Sequence, residues 1–445
     1  MEREVLVSDD NLISGLMDIV RSGNLIYSEE QLREYSVDGL VPEVVLYPED
    51  EDELSSIISF AKENHLYIIP RGGGSKLHIG NVPTGLDMVI CTEGFNRIID
   101  LDSKNLTLIV QSGARIWDVQ DVLSSEGLMI PVSPPHIKRC TLGGMLSSNS
   151  NGYNRLSNGS IRDMVLGIRY VGADAKVKGF GAKTVKNVSG YDMPKLFIGS
   201  FGTLGVITGC IIRLIPLKEA GNTIILPMKD IPCIEGFLKE ILNRGLIPTG
   251  IELLDQNLCS FLNKIPLQHN IPYYLSVAIE GLREEVERLK REVKDIFIKI
   301  SKGELIIIDG DEHKDFWIAY SEIEDRLLSD PKEIFTIKLC FLTSDLTLVL
   351  NHILNLKYKD TLLQSSPLNG IMKLHIPAGS NDKNKILNID NILSSLSGDI
   401  IFERLPLELK KGLNIWRHRR EDIRIMKRIK DLFDPQDIFS PGRLV

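Results

Sequence analysis

The sequence predicts an α+β protein in two main parts, and three observations carry that expectation. Between Pro131 and Thr208 glycines recur beside small polar residues and strand-like apolar runs, with almost no long helical period. After Pro216 glycine thins out, and strands alternate with helices at regular spacing. At 445 residues the chain is long enough to bury more than one core. The expected division is N-terminal helices over 1–41, a glycine-rich domain over 42–216, an α+β domain over 217–400 and a C-terminal segment over 401–445.

Composition narrows the function. A net charge of -8 argues against nucleic acid as the main partner. No apolar run reaches transmembrane length, and the start MEREVLVSDD is acidic and unlike a signal peptide, so a cytoplasmic protein is expected. Cys91, Cys140, Cys210, Cys233, Cys259 and Cys340 show no CxxC or other cluster spacing, which fits neither a disulfide framework, a zinc site nor an iron–sulfur ligand set.

Residues 8 to 38 read as two short helices, with Ser8, Asp9 or Asp10 as cap and Leu12, Leu16, Ile19 and Val20 on one face. A strand, a helix and a second strand then lead into the turn Pro70-Arg71-Gly72-Gly73-Gly74-Ser75-Lys76. Three consecutive glycines let successive amides converge on an anion, with Ser75 as a further donor, so a diphosphate is the natural ligand. Gly143, Gly144, Ser147, Asn149 and Gly152 form a second such turn, and SGYD (Ser189 to Asp192) and GSFGTLGVIT (Gly199 to Thr208) repeat the pattern. Two rival phosphate motifs fail. GFGAKT (Gly179 to Thr184) has Ala182 where a P-loop ending needs otherwise, and neither it nor GGGSKL completes GxGxxG.

From Arg97 the pattern gives alternating strands and then a helix led by Trp117 and Val122. Arg139, Arg155 and Arg162 lie among the glycine segments, where each could balance phosphate charge, although exposure to solvent is the expectation for at least two of them. In the second part, LREEVERLKREVKDIF places Leu282, Val286, Leu289, Val293 and Ile296 or Phe297 on one stripe, with Glu284 to Arg288 and Glu287 to Arg291 pairing across a turn. The run Asp309, Asp311, Glu312, His313 and Asp315 fits no EF-hand spacing and reads as a helix start. The tail holds a helix with Ile425, Ile429 and Leu432 on one face, stopped by Asp434-Pro435, within a basic stretch from Trp416 to Lys430.

The order PRGGGSK, TLGGMLSSNSNG, GSIRDMVLG, KNVSGYDMPKLFIGSFGTLGVIT and FDPQDIFSPGRLV resembles the flavoproteins of the vanillyl-alcohol oxidase and p-cresol methylhydroxylase (PCMH) superfamily. More narrowly, it is similar to the FAD-binding subunits of glycolate oxidase and D-lactate dehydrogenase complexes. The likeness is strong over about 42–216 and from about Glu403 onward, and weak between. It implies a PCMH-type FAD-binding domain of two subdomains over 42–216, a ferredoxin-like cap that closes over the flavin, and a tail that returns to the first domain. The FAD contacts it implies are Pro70, Arg71, Gly72, Gly73, Gly74, Ser75 and Lys76, then Ser133, Pro134, Thr141, Gly143, Gly144, Ser147, Asn149, Gly152, Gly159 and Ile161, and finally Gly205, Val206, Ile207 and Arg443.

Some members tether the flavin through a histidine where this chain has Gly74, so noncovalent FAD is expected, with His78 the remaining tether candidate. Members that act alone carry HxGDGNxH and EHG motifs. Neither is present, which leaves His375 and Lys373 in GIMKLHIPAGSN, and Tyr320 in the cap helix, as catalytic candidates. The resemblance therefore implies an FAD-binding subunit of a multi-subunit 2-hydroxy-acid (glycolate or D-lactate) dehydrogenase, with a catalytic flavoprotein subunit and an iron–sulfur subunit as partners. Such a subunit would be cytoplasmic, reaching the inner face of the membrane through its partners. Two alternatives stay open: a self-sufficient FAD-dependent oxidoreductase using His375, Lys373 or Tyr320, and a scaffold that has lost its flavin.

Overall fold

The computed structural model describes residues 9–21, 23–183, 190–301, 303–329, 333–356, 358–379, 382–393, 398–417 and 420–445. Ser8, Thr184 and Ser189, named above, lie outside these residues.

Three sheets of four or more strands organise the described residues, beside a two-stranded pairing of Ile215–Pro216 with Leu128–Met129. The first has the order Leu25–Ile26, Val44–Leu46, Met88–Cys91 and Ile68–Arg71, and its last three strands run parallel. Parallel strands are covered on both faces, which is why Val44, Val45 and Leu46 are all fully buried. Helix Glu51–Glu63 starts at Asp50, whose carboxylate accepts from the Glu53 amide at 2.9 Å, and it packs Leu54, Ile57 and Ile58 on the same core as Leu12 and Leu16. The tail closes the sheet's open edge. The Ile68 amide donates to the Ile438 carbonyl at 2.7 Å, and the Ser440 amide donates to the Ile68 carbonyl at 2.8 Å.

The second sheet is antiparallel, in the order Ile98–Asp102, Thr107–Gln111, Val206–Arg213, Val165–Val171 and Val177–Gly181. Helix Ile116–Ser125 buries Ile116, Val119 and Leu123 against it. Trp117 and Val122, expected to lead that helix, face solvent instead.

The third sheet has eight antiparallel strands: Ile306–Asp309, Ala220–Met228, Tyr273–Gly281, Gly250–Asp255, Leu362–Ser366, Ile371–Pro377, Ile334–Cys340 and Asp399–Arg404. Within each half the chain order across the sheet is fourth, first, third, second, counted inward to the seam between Gly250–Asp255 and Leu362–Ser366. That is the order of a β-α-β-β-α-β ferredoxin-like unit, so two such units join edge to edge. The last strand continues to Arg404, past the expected boundary at 400.

Helices Ile231–Asn243, Arg283–Ile300 and Leu346–Leu356 cover one face of this sheet in a single apolar core. Val286, Leu289, Val293, Ile296 and Phe297 are buried there, as their spacing predicts. Leu282 is exposed because it stands at the N-cap, outside the helix. The ion pairs on that helix are Arg288 with Glu292 and Lys290 with Glu287, not the two expected.

Helix Arg420–Phe433 also differs from expectation. Ile425 and Leu432 are 60% and 78% exposed, and the buried residue of this turn is Lys430. Its ammonium donates to the carbonyls of Thr203 at 3.0 Å and Phe439 at 2.7 Å and pairs with Asp434. A lysine thus ties the tail to the glycine-rich region, where simple amphipathic reasoning would place only apolar side chains.

Candidate functional site

The triple-glycine turn packs against Arg139 and Thr141, just ahead of the second glycine segment, which forms helix Leu142–Ser147 where a turn was expected. A Cβ on Gly73 would stand 1.8 Å from the Arg139 carbonyl oxygen, and one on Gly72 would stand 2.1 Å from the Thr141 hydroxyl. Thr141 in turn caps helix Leu142–Ser147 by accepting from the Gly144 amide at 3.2 Å. On the other side, Gly202 at φ +70° lies over Pro70, and Gly205 at φ +141° opens onto Val206 and Ile207. Glycine is required at 202 and 205 by backbone conformation, and at 72 and 73 by close approach.

These segments enclose a cleft of about 860 Å³, counted to its open mouth. Its walls hold Pro70, Arg71, Gly72, Gly73, Gly74, Ser75, Lys76, Thr141, Gly143, Gly144, Ser147, Gly205, Val206, Ile207 and Arg443. Arg71 lies over the Tyr35 ring at 4.9 Å and makes no ion pair among the described residues. Lys76 makes none either; its ammonium donates to the Ser150 hydroxyl at 2.6 Å. Burial, and then the charge of Lys373, hold Lys76 below the ordinary lysine range. Two cations thus bracket the bare amides of residues 72–75, the chemistry a diphosphate requires.

Arg443 touches the cleft but its guanidinium is already engaged. It pairs with Asp38 at 2.6 Å and donates to the carbonyls of Leu77, Ile79 and Asn81. Lys410 shares Asp38 at 2.6 Å and donates to the His78 carbonyl at 2.8 Å. The tail therefore holds the stretch 77–81 that follows the glycine turn. The His78 imidazole lies outside the cleft walls, and burial lowers its pKa to about 3.

A second cavity, about 1310 Å³ on the same measure, adjoins the first and shares Lys76, Ile79, Ser148, Ser150 and Phe201 with it. One wall is the face of the eight-stranded sheet opposite helices Ile231–Asn243, Arg283–Ile300 and Leu346–Leu356, a face that helices Gln256–Leu262, Gly310–Ser321 and Ile323–Leu328 cover in part. Side chains alternate across a strand, and in these strands the apolar set Ile251, Leu253, Leu363, Met372, Leu374, Ile337 and Leu339 enters the core. The opposite set contains Glu252, Gln364, Ser366, Lys373, Lys338 and Glu403, which face the cavity. Sequence reasoning singled out only Lys373 and His375 from this face. The missed pattern was polar residues at every second position of otherwise apolar runs: IELL, TIKL, IMKLH and IFER.

The charges on this face are arranged in buried groups. Lys373 lies 2.5 Å from Glu324 and 2.7 Å from Glu403. Burial alone would depress this amine, but the two carboxylates overcome it and hold the lysine charged. Burial opposes ionisation of Glu324 as well, yet Lys373 and then His136 keep its pKa well below the ordinary value. His136, fully buried at the base of the second glycine segment, contacts Glu324 at 3.2 Å and Asp325 at 2.8 Å. Those carboxylates outweigh burial and raise its pKa. Glu252 has hydroxyls rather than cations: Tyr320 donates to it at 2.5 Å and Ser366 at 2.6 Å. Burial pushes this carboxyl up to about 8.

Comparison with known proteins gives the cofactor class. Residues 42–181 match the FAD binding domain family, and residues 415–444 match the C-terminal domain of FAD linked oxidases. This chain is an FAD-linked oxidoreductase. It is 29% identical to the glycolate oxidase subunit GlcD of Bacillus subtilis, over 96% of this chain and 93% of that one. It is 32% identical to a D-lactate dehydrogenase of Archaeoglobus fulgidus over 222 residues, half of this chain and 49% of the relative. Among solved structures, p-cresol methylhydroxylase with substrate bound shares the fold at a TM-score of 0.73 and 14% identity, covering 99% of this chain and 97% of that one. An alkyldihydroxyacetonephosphate synthase superposes at 0.74 with 17% identity, covering 100% and 86%.

The cleft of this flavoprotein fits FAD by its donor set: exposed amides, small side chains and two cations that make no ion pair among the described residues. The remaining residues named from sequence fall elsewhere. Ser133, Asn149 and Gly152 line the second cavity, where a Cβ on Gly152 would stand 1.6 Å from the Ser133 carbonyl oxygen. Pro134, Gly159 and Ile161 line neither cavity; the Ile161 amide donates to Asn151 at 2.7 Å and braces the second glycine segment from behind. Tyr320 and Lys373 face the second cavity. His375 lies just beyond it, fully buried, with Nδ1 3.0 Å from the Thr336 hydroxyl, no partner at Nε2 among the described residues, and a pKa lowered by burial to about 4. Arg155 lines the second cavity, whereas Arg139 pairs with Asp325 and Arg162 is exposed and donates to the Lys195 carbonyl. Among the described residues no helix is long and apolar enough to cross a membrane.

Proposed function

We propose that this oxidoreductase is the FAD-binding subunit of a multi-subunit 2-hydroxy-acid dehydrogenase of the glycolate or D-lactate class, with FAD held noncovalently in the glycine cleft and the acid in the adjoining cavity under the eight-stranded cap. The carrying observation is the charge balance of that cavity. Its carboxylates are engaged, Glu324 and Glu403 by Lys373 and Glu252 by two hydroxyls, while Arg155 and Lys338 in the same wall make no ion pair among the described residues. Unpaired cations in a partly enclosed wall favour a small anion.

FAD, when bound, supplies the hydride acceptor. The chain's part is to orient the ligand carboxylate through Arg155 and Lys338, to shield the cavity with Phe201 and Trp416, and to keep Lys373 as a fixed buried cation beside it. The cysteines are free thiols, five of them buried. Onward electron transfer through iron–sulfur clusters accordingly falls to a partner subunit, and a second flavoprotein subunit completes the complex.

The test is anaerobic bleaching of bound FAD by a panel of 2-hydroxy acids, with the chain alone and with copurified partners. Bleaching by the acids but not by alcohols lacking a carboxylate, weakened at least tenfold in apparent affinity by Arg155→Gln or Lys338→Gln, supports the proposal. Equal bleaching by neutral alcohols overturns it.

A further inference from the structure

Glu252 is the one carboxyl in the cavity wall to which the substrate reading gives no task. It is 1% exposed, sits on strand Gly250–Asp255 in the seam between the two ferredoxin-like units, and makes no ion pair among the described residues. Buried carboxylates are ordinarily paired with a cation or supplied with several donors, because an isolated ion in a low-dielectric interior is costly. Here both oxygens instead meet hydroxyls of residues that themselves line the cavity, Tyr320 and Ser366.

We propose that Glu252 and Tyr320 form the proton-accepting pair of this cavity, Tyr320 contacting the substrate hydroxyl and Glu252 holding the proton behind it. The inference rests on the proposed 2-hydroxy-acid substrate. As the alcohol is oxidised, its O–H bond breaks and the proton passes to the Tyr320 oxygen, while the Tyr320 proton passes to the Glu252 carboxylate. The carbon's hydrogen leaves with its electron pair to oxidised FAD, and the carbon becomes a carbonyl. Nothing further is needed for atoms and electrons to balance.

The surroundings suit a group that exchanges protons near neutrality. Tyr320 itself stays protonated, since burial and then Glu252 lift it well above the ordinary phenol value. A relay through an un-ionised phenol leaves the carboxyl to change charge, and a base works best when its pKa lies near the working pH. The groups facing Glu252 are Tyr320 from helix Gly310–Ser321, Ser366 and Gln364 from strand Leu362–Ser366, and Ser276, its register partner on strand Tyr273–Gly281. Glu324 acts on Tyr320 from beyond, and Arg155 lines the same cavity. Anion binding and proton acceptance are thereby divided between different residues.

The experiment uses the FAD-loaded chain with whichever acid bleaches it. Infrared difference spectra recorded without substrate are expected to show a protonated-carboxyl band that disappears as pH rises through about 8 and is absent from Glu252→Gln. The bleaching rate is expected to rise about tenfold per pH unit below that point and level off above it. Glu252→Gln should slow bleaching by roughly 100-fold or more and abolish the pH dependence, Glu252→Asp should restore part of the rate, and Tyr320→Phe should slow it while leaving the infrared band in place. An infrared spectrum unchanged by Glu252→Gln, or an intact pH profile in that variant with native near-UV dichroism, overturns the proposal even if the acids bleach the flavin. If no acid bleaches it, the substrate reading fails while the infrared result stands on its own.

Discussion

Replacing Lys373 by methionine tests the central charge arrangement of the cap cavity. The substitution keeps most of the side-chain volume and removes a cation that lies within 2.7 Å of two carboxylates. Glu324 keeps His136 at 3.2 Å, but no second cation forms an ion pair with Glu403 among the described residues. Breaking a buried pair so that one charge is left uncompensated costs about 3–5 kcal/mol. For a unit the size of the cap, each kcal/mol moves the melting temperature by about 2–4 °C, so the expected drop is roughly 6–20 °C at pH 8. The sign of the pH dependence follows from the native pair. Glu324 and Glu403 both have lowered pKa values despite burial, so their stabilising contribution is present above the unfolded carboxylate pKa and is lost as pH falls through the folded values. In Lys373→Met the orphaned carboxylates take up protons more readily, so the deficit should shrink between pH 8 and pH 5. The double variant Lys373→Met/Glu403→Gln should recover at least half of the loss. Thermal melts by near-UV dichroism provide the measurement. A deficit below about 1 kcal/mol that is equal at both pH values would refute the argument.

Three further outcomes are expected. Gly73→Ala drives a methyl group into the Arg139 carbonyl and should weaken FAD binding at least tenfold, giving a nearly colourless protein with unchanged far-UV dichroism; Gly236→Ala, whose Cβ would come no closer than 3.9 Å to its nearest neighbour, should keep the flavin. Arg443→Met leaves Asp38 with Lys410 alone and three carbonyls without their donor, so the urea midpoint should fall by an amount equivalent to about 3–5 kcal/mol. Full unfolding followed by filtration should carry all of the 450 nm absorbance (about 450 nm, the usual band of a flavin cofactor) into the filtrate; retention on the protein would contradict the noncovalent expectation from Gly74.

Local features were the most readable from sequence. The triple-glycine turn and the stripe from Val286 to Phe297 are consequences of local geometry, and the structure shows both; the second glycine segment instead forms helix Leu142–Ser147, with Asn149 and Gly152 beyond it in the adjoining cavity. The failures share a cause. Trp117, Val122, Ile425 and Leu432 are apolar side chains on helices whose buried sides are set by what they pack against, and Lys430 goes inside because carbonyls from distant segments await its ammonium. The cavity wall was missed for a related reason. Glu252, Lys338 and Glu403 are single polar interruptions of separate strands, and only the pairing of those strands brings them onto one surface. Arg443 was named for the flavin because of its neighbourhood, whereas its guanidinium binds the chain itself.

The grip of the tail on the first sheet also sets an order of events during synthesis. Arg443 clasps the Leu77 carbonyl 366 residues upstream, beside the triple-glycine turn. At ribosomal speeds of about 5–20 residues per second, roughly 20 to 70 s separate the emergence of that turn from the arrival of its clasp. The walls of the cleft are therefore completed only when Arg443, 366 residues after Leu77, reaches them, and not by the first segments to fold.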